Sequence, residues 1–218
     1  MMKVEKIDND EVVSYIRDVF SEHKKDKFAV SSIIYPRSVN KNEKLDNTSV
    51  LIFFRGEKIG YGIEEILKNK YGEGEGEYEV EYRGITGHID FYRPSKNMPF
   101  EIKTCSIDPT EDDFLTKYIG YVAQLGMYMS ILDSDEGVYV FFNVRNNSLH
   151  MFKLSIEKEI REEILKAALE VKNDIEAKKF SYLCVGCSTN KYCNYCDKRG
   201  LIHPIEFIIM REMLNVTE

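Results

Sequence analysis

Nowhere does the chain approach the roughly 18 consecutive apolar residues that a bilayer-spanning helix requires. The amino end, MMKVEKIDNDEVV, also lacks the apolar h-region of a secretory signal. A cytoplasmic protein without membrane contact is the expectation. A basic excess is missing too: 30 Lys and Arg stand against 37 Asp and Glu, a formal charge of −7. That balance speaks against non-specific coating of nucleic acid. It does not exclude an enzyme acting on nucleic acid, because metal-binding carboxylates are acidic and a local basic patch can hold phosphates. Internal repeats and low-complexity tracts are absent. With hydrophobic residues at 43% and charged residues at 31%, disorder is excluded as well. A chain of 218 residues has room for one ordinary domain that buries its core without staples.

What is present is concentrated in two places. The first is Gly87-His88-Ile89-Asp90-Phe91, followed ten residues later by Glu101-Ile102-Lys103-Thr104. An acid ends one apolar stretch and a Glu-x-Lys sits on the next. Strand alternation sends Glu101 and Lys103 to one face and Ile102 to the other. If the two stretches pair, Asp90 and Glu101 can share a divalent cation with Lys103 beside it, a set suited to metal-assisted phosphodiester hydrolysis. The competing reading is two neighbouring strands with a charged, solvent-facing edge. The second concentration is cysteine. Cys105 stands alone, whereas Cys184, Cys187, Cys193 and Cys196 crowd into thirteen residues. In an intracellular chain such crowding reads as a metal site rather than a disulfide framework.

The periodicities place these motifs on elements. Residues 9–22 carry Val12, Val13, Ile16, Val19 and Phe20 at helical spacing. An apolar run over 49–54 leads through Arg55-Gly56 into a helix over 59–70, and the glycine-rich 72–76 reads as a flexible connection. Strands are expected at 78–82, 85–92 and 100–105, with Pro94, Asn97 and Pro99 turning between the last two. Asp112 or Asp113 opens a long helix to about Leu132. A hairpin follows around Asn146-Asn147, then a charged helix from Ser155 to about Lys178, the cysteine segment and an apolar tail over 204–214. On the long helix Gln124 and Tyr128 share a face, with Lys117 and Tyr121 continuing it backward. Val122, Leu125, Met129 and Leu132 form a different, apolar face.

Gly87-His88-Ile89-Asp90, Glu101-Ile102-Lys103-Thr104 and Gln124-x-x-x-Tyr128, in this order and spacing, resemble the RecB-like branch of the PD-(D/E)xK nuclease superfamily. With the late cysteine cluster, the resemblance narrows to the CRISPR-associated RecB-like exonucleases and their viral or plasmid relatives. It spans roughly residues 32–196. The resemblance implies an α/β fold of the restriction-endonuclease kind, a mixed sheet flanked by helices with a cysteine-rich metal-binding segment at the carboxyl end. Residues 1–180 would form the core with an amino-terminal helical portion, and 181–218 the segment packing on it, a single domain overall. It further implies a DNA exonuclease using Mg²⁺ or Mn²⁺, acting on single-stranded ends in CRISPR spacer acquisition or viral DNA processing. Its partners would be DNA, CRISPR integrase proteins and a second copy of the chain. Asp90, Glu101 and the carbonyl of Ile102 would hold the metal. Lys103 would orient the attacking water, and Gln124 and Tyr128 would lie near the phosphate.

The chain departs from that family twice. A metal-binding histidine usually follows the Arg-Gly pair on the first helix; after Arg55-Gly56 the aligned position here is Gly60, with Glu64 and Glu65 a turn further on as alternative carboxylates. Loss of an imidazole ligand weakens metal binding, so a catalytically weakened DNA-binding or adaptor subunit is the alternative. Secondly, Tyr35, in Tyr35-Pro36-Arg37, stands where relatives carry the first cluster cysteine. Cys184, Cys187 and Cys193 keep the late trio, and Cys196 adds a fourth thiolate. Four thiolates suit a 4Fe–4S cluster or structural Zn²⁺; the tight loop and the trio favour 4Fe–4S.

Overall fold

A computed structural model describes residues 28–36, 47–179, 184–185 and 202–214. The expected helix over 9–22 and three of the clustered cysteines, Cys187, Cys193 and Cys196, lie outside the described residues.

The sheet is built around two apolar strands, β2 (Ile85–Arg93) and β3 (Met98–Cys105), preceded by β1 (Glu75–Tyr82) and followed by β4 (Glu136–Asn143) and β5 (Leu149–Ser155). Strand order follows the chain, β1-β2-β3-β4-β5, and among these described strands only the β3–β4 pair is parallel. This is a mixed sheet, as expected. The β4–β5 hairpin turns at Asn147, whose φ of 59° is one that asparagine tolerates better than most residues.

Helices cover both faces. On one lies α2 (Asn47–Tyr71), following the short α1 (Val30–Ile34). Ile63 and Leu67 of α2 pack on Phe91, Phe100, Ile102, Val138 and Val140. Each fully buried ring here, Phe91 and Phe100 among them, contributes about 1.5–3 kcal/mol. On the other face α1, α4 (Ile119–Leu132), α5 (Lys158–Glu176) and α6 (Pro204–Met213) enclose the larger core with Ile85, Ile89, Tyr139 and Phe141. The buried Arg161 of α5 clamps the end of α4, donating to Asp133 at 2.8 Å, Asp135 at 2.6 Å and the Ile156 carbonyl at 2.7 Å. His203 caps α6, accepting from Ile205 N at 3.2 Å, and its other nitrogen bonds the Ile33 carbonyl at 2.9 Å. Burial of that imidazole pushes its pKa down to about 4.

Three expectations are corrected. The apolar run 49–54 and the helix after Gly56 form one helix of 25 residues. Gly56 does not break it, and a Cβ there would lie 3.7 Å from Thr104 Oγ1, ordinary contact against β3. The glycine-rich 72–76 is only partly a connection, since Glu75 and Gly76 already pair with β2. The long helix is interrupted: α3 (Asp113–Thr116) ends before Lys117, and α4 starts at Ile119. At the corner the Asp113 carbonyl accepts from both Lys117 N at 2.7 Å and Tyr118 N at 2.9 Å. Tyr118 stacks on Tyr121 at 5.6 Å and meets Phe114 and Phe141. Burial of that aromatic cluster outweighs the continuation of one helix.

Candidate active site

Asp90 sits where the sheet opens. The β2–β3 ladder runs from Arg93↔Met98 to Phe91↔Phe100 and stops there. In the next step the Asp90 side chain replaces a backbone acceptor, taking Ile102 N at 2.5 Å. β1 is distorted at the same level. Gly76↔Phe91 and Tyr78↔Ile89 pair on either side of Glu77, which has a φ of 48°. Across this point the strands swap faces. Ile89, Tyr78 and Val80 belong to the α4 side, whereas Phe91 packs toward α2 and a Cβ on Gly76 would lie 2.3 Å from Glu64 of α2. A left-handed non-glycine residue inside a strand stores strain of about 1–3 kcal/mol, and such strain clusters at functional sites.

Alternation holds in β3, so Glu101 and Lys103 reach the α4 side together and Ile102 turns toward α2. Lys103 Nζ donates to Glu101 Oε1, and the ammonium lies 5.3 Å from the Tyr121 ring centre. Glu101 is 0% exposed and Lys103 22%. Burial, then the neighbouring Asp90 charge, pushes the Glu101 carboxyl up to about 8, and burial raises Asp90 as well. Burial opposes the Lys103 charge, but the two facing carboxylates outweigh it and hold the ammonium above its usual range. An elevated ammonium argues for an ion pair and an elevated carboxyl for a neutral acid. Both hold because two acids face one cation: Lys103 stays charged, and Glu101, the fully buried acid, keeps its proton near neutral pH.

α4 supplies the remaining expected groups. Gln124 donates its side-chain hydrogen bond to the Tyr128 hydroxyl, which is buried and held above its ordinary value by burial and by Glu101. Tyr128 lies against β2 at Gly87, where a Cβ would meet its ring at 2.6 Å. Lys117 does not join this face: it lies in the break before α4, largely exposed, paired with Asp113 at 2.6 Å.

Sequence reasoning missed part of the site. A cleft of about 180 Å³ on the α2 side is lined by Gly56, Glu57, Gly60, Tyr61, Glu64, Glu77, Asp90 and Ile102. Burial, then Glu77 and Asp90, raises Glu64 to about 7, and burial and Asp90 raise Glu77. Of the two helix acids weighed from sequence, Glu64 faces the cleft and Glu65 is exposed. Glu77 carried no periodic signal, because its orientation comes from the strained backbone. At Gly60, the position aligned with the family histidine, a Cβ would meet nothing within 4 Å.

The donor set suits a hard divalent cation. Asp90 and Ile102 share the cleft, and Glu101 Oε2 is buried with no hydrogen-bond partner among the described residues, an orphan acceptor that a cation would satisfy. Among the described residues no three His, Cys, Asp or Glu side chains already stand together as a metal site. Glu101 is drawn instead to the Lys103 ammonium.

At the carboxyl end, Cys184 is half-buried. Val185 N bonds the Ile34 carbonyl at 3.0 Å, tying this segment to α1, and Cys184 lies within electrostatic reach of Tyr35. The position that carries cysteine in the resembled family thus neighbours Cys184.

No protein-family model matches the chain, and no curated protein matches it. Solved structures do. The crystallised protein SSO0001 has a TM-score of 0.52 at 17% identity, covering 76% of this chain and 87% of that one. The fold is therefore shared with SSO0001. The alkaline exonuclease LHK-Exo from Laribacter hongkongensis matches with a TM-score of 0.48 at 12% identity, over 69% of this chain and 88% of its own. A phage-related exonuclease from Haemophilus somnus 129PT matches at 0.42 and 16% identity, over 78% of this chain and 84% of its own.

Proposed function

We propose that the chain is a divalent-metal-dependent deoxyribonuclease of the RecB-like PD-(D/E)xK type, an exonuclease acting on single-stranded ends. The observation that carries this reading is the buried Glu101–Lys103 pair beside Asp90 at the point where β2 and β3 part. Mg²⁺ or Mn²⁺ would be held by Asp90, Glu101 and the Ile102 carbonyl, with Glu64 in the role that an imidazole plays elsewhere. When bound, such an ion supplies Lewis acidity and charge neutralisation at a phosphodiester.

The chain's own groups define the rest. Glu57, Glu64, Glu77 and Asp90 line a cleft that repels phosphate unless a cation offsets them. Lys103, kept protonated by its two acids, is a donor rather than a base. It orients a water or the scissile phosphate and steadies the charge that develops on the phosphoryl oxygens. Gln124 fixes the Tyr128 hydroxyl, which braces the face of β2 leading into Asp90. Cys184, Cys187, Cys193 and Cys196 would bind a 4Fe–4S cluster, or Zn²⁺, pinning the carboxyl end to α1. A role in CRISPR spacer acquisition or viral DNA processing, with integrase partners, follows from the family resemblance alone.

Gly60 supports a second reading, a weakened nuclease serving as a DNA-binding adaptor. Incubating end-labelled single-stranded DNA with Mn²⁺ and either wild-type protein or Lys103→Ala separates the two. Cleavage by the wild type alone supports the enzyme; equal product, or none from either, supports the adaptor. A brown anaerobic preparation that contains iron supports the cluster, and a colourless zinc-containing one overturns it.

A further inference from the structure

The Lys103 ammonium meets two groups of different character. Its Nζ donates to Glu101 Oε1 and lies 5.3 Å from the centre of the Tyr121 ring, inside the roughly 6 Å over which a ring face attracts a cation. That ring is itself held. Tyr121 sits in the first turn of α4, stacks on Tyr118 with centres 5.6 Å apart and planes 9° from parallel, and meets Phe141 at 6.3 Å. Tyr118 belongs to the corner between α3 and α4, so the break in the helix also fixes the orientation of the ring. Gln124 and Tyr128 follow Tyr121 at three- and four-residue steps, which puts ring, amide and phenol on one face of α4. Glu101 is fully buried and Lys103 partly exposed, so the lysine is the member of the pair that a substrate can reach.

We infer that Tyr121 is a positioning residue, whose ring face keeps the Lys103 ammonium in place when Glu101 turns from that ammonium to a divalent cation. The inference deepens the nuclease reading and rests on it for the substrate. Glu101 has two oxygens: Oε1 accepts from Lys103, and Oε2 is buried with no partner among the described residues. A divalent cation on this carboxylate competes with the ammonium for the same oxygens. Lys103 then loses its strongest anchor at the step where it must face water or phosphate, and an unbranched side chain released there regains its rotamer freedom. The ring does not enter that competition, because hard cations take oxygen donors and leave the π face to the ammonium. The attraction comes from the ring rather than from the phenol oxygen, so phenylalanine supplies most of it.

The test uses the full chain carrying carbon-labelled lysine. Nuclear magnetic resonance reads the Lys103 ε-methylene, identified by its loss in Lys103→Arg, before and after Mg²⁺ is added. Mn²⁺-dependent cleavage of an end-labelled single strand is measured beside it. The ring current of Tyr121 should shift that methylene upfield of the other lysines, and the shift should persist with Mg²⁺ present. Tyr121→Leu should abolish the shift and lower kcat roughly five- to thirtyfold, with KM for the strand unchanged. Tyr121→Phe should keep the shift and recover most of the rate. Successively fluorinated phenylalanines at this position keep the shape of the ring and drain its negative face, so kcat should fall stepwise along the series. A side chain that merely fills space is indifferent to fluorine, and because the series preserves shape it decides the matter even where Tyr121→Leu fails to fold. A kcat flat across the series overturns the inference. So does a Lys103 shift that vanishes when Mg²⁺ is added to the wild type, or a Tyr121→Leu variant that raises KM alone, which would put the ring on the DNA. If the shift persists with Mg²⁺ in the wild type and is lost in Tyr121→Leu, but no cleavage occurs, the tether stands and the nuclease reading falls.

Discussion

Replacing Lys103 with methionine removes the ammonium that faces the buried Glu101 and the half-buried Asp90, while keeping most of the side-chain volume beside Tyr121. In the wild type Glu101 keeps its proton near neutral pH, while the Lys103 ammonium favours the ionised form of Asp90. Without the ammonium, the remaining carboxylate must also become neutral in the folded state. For Asp90, whose ordinary pKa is 3.8, full neutralisation costs about 2.3 kcal/mol at pH 5.5 and about 4.4 kcal/mol at pH 7. The larger figure falls within the range of about 3–5 kcal/mol found when a buried pair loses one partner. The sign is set by proton binding. The wild-type Glu101 carboxyl, pushed up to about 8, keeps a proton that the unfolded chain has lost, so stability falls as pH climbs from 4.5 to 8. In Lys103→Met a second acid joins it and the fall steepens. Denaturant unfolding in chelated buffer at pH 5.5 and pH 7 reads the difference directly. A destabilisation of the same size at both values would refute this account of the protons.

Three further outcomes follow from the geometry. Gly87→Ala drives a Cβ to 2.6 Å from Tyr128 and 3.0 Å from Val30; it should lower stability by about 1–3 kcal/mol, visible as a reduced melting temperature. His203, held near 4 by burial against an ordinary 6.5, stabilises the fold above pH 6.5 and loses that contribution as pH falls toward 4, about 3.4 kcal/mol in all. His203→Gln should therefore flatten acid destabilisation across that window, and an unchanged acid limb would contradict it. Gly60→His adds a side chain where a Cβ meets nothing. It should tighten Mn²⁺ binding in a thermal-shift titration, and weaker binding would contradict the placement of the cleft.

The sequence was legible wherever a local period survived packing. β3 keeps strict alternation, so the common face of Glu101 and Lys103 could be read from Glu-x-Lys alone. The hairpin around Asn146-Asn147 and the amphipathic α5 were equally plain. What escaped was decided by tertiary contact or by backbone strain. α1 has only five residues, too few to show a period, and is stable because Val30, Ile33 and Ile34 are buried. The corner at Lys117–Tyr118 arises from an aromatic cluster assembled by Phe114, Tyr118 and the distant Phe141. Glu77 enters the site only because its φ turns positive opposite Asp90, which period-two reading cannot foresee. Glu64 was visible as a helix acid, but its inward orientation came from the course of α2 past Gly76.

The central claim is that Asp90 and Glu101 hold a divalent cation. Equilibrium dialysis against Mn²⁺, with bound metal read by electron paramagnetic resonance, tests it on wild type and on Asp90→Asn with Glu101→Gln. Manganese prefers oxygen donors to thiolates, so the cysteine segment does not confuse the reading. The account predicts Mn²⁺ retained by the wild type and lost by the double variant; equal retention by both would contradict it.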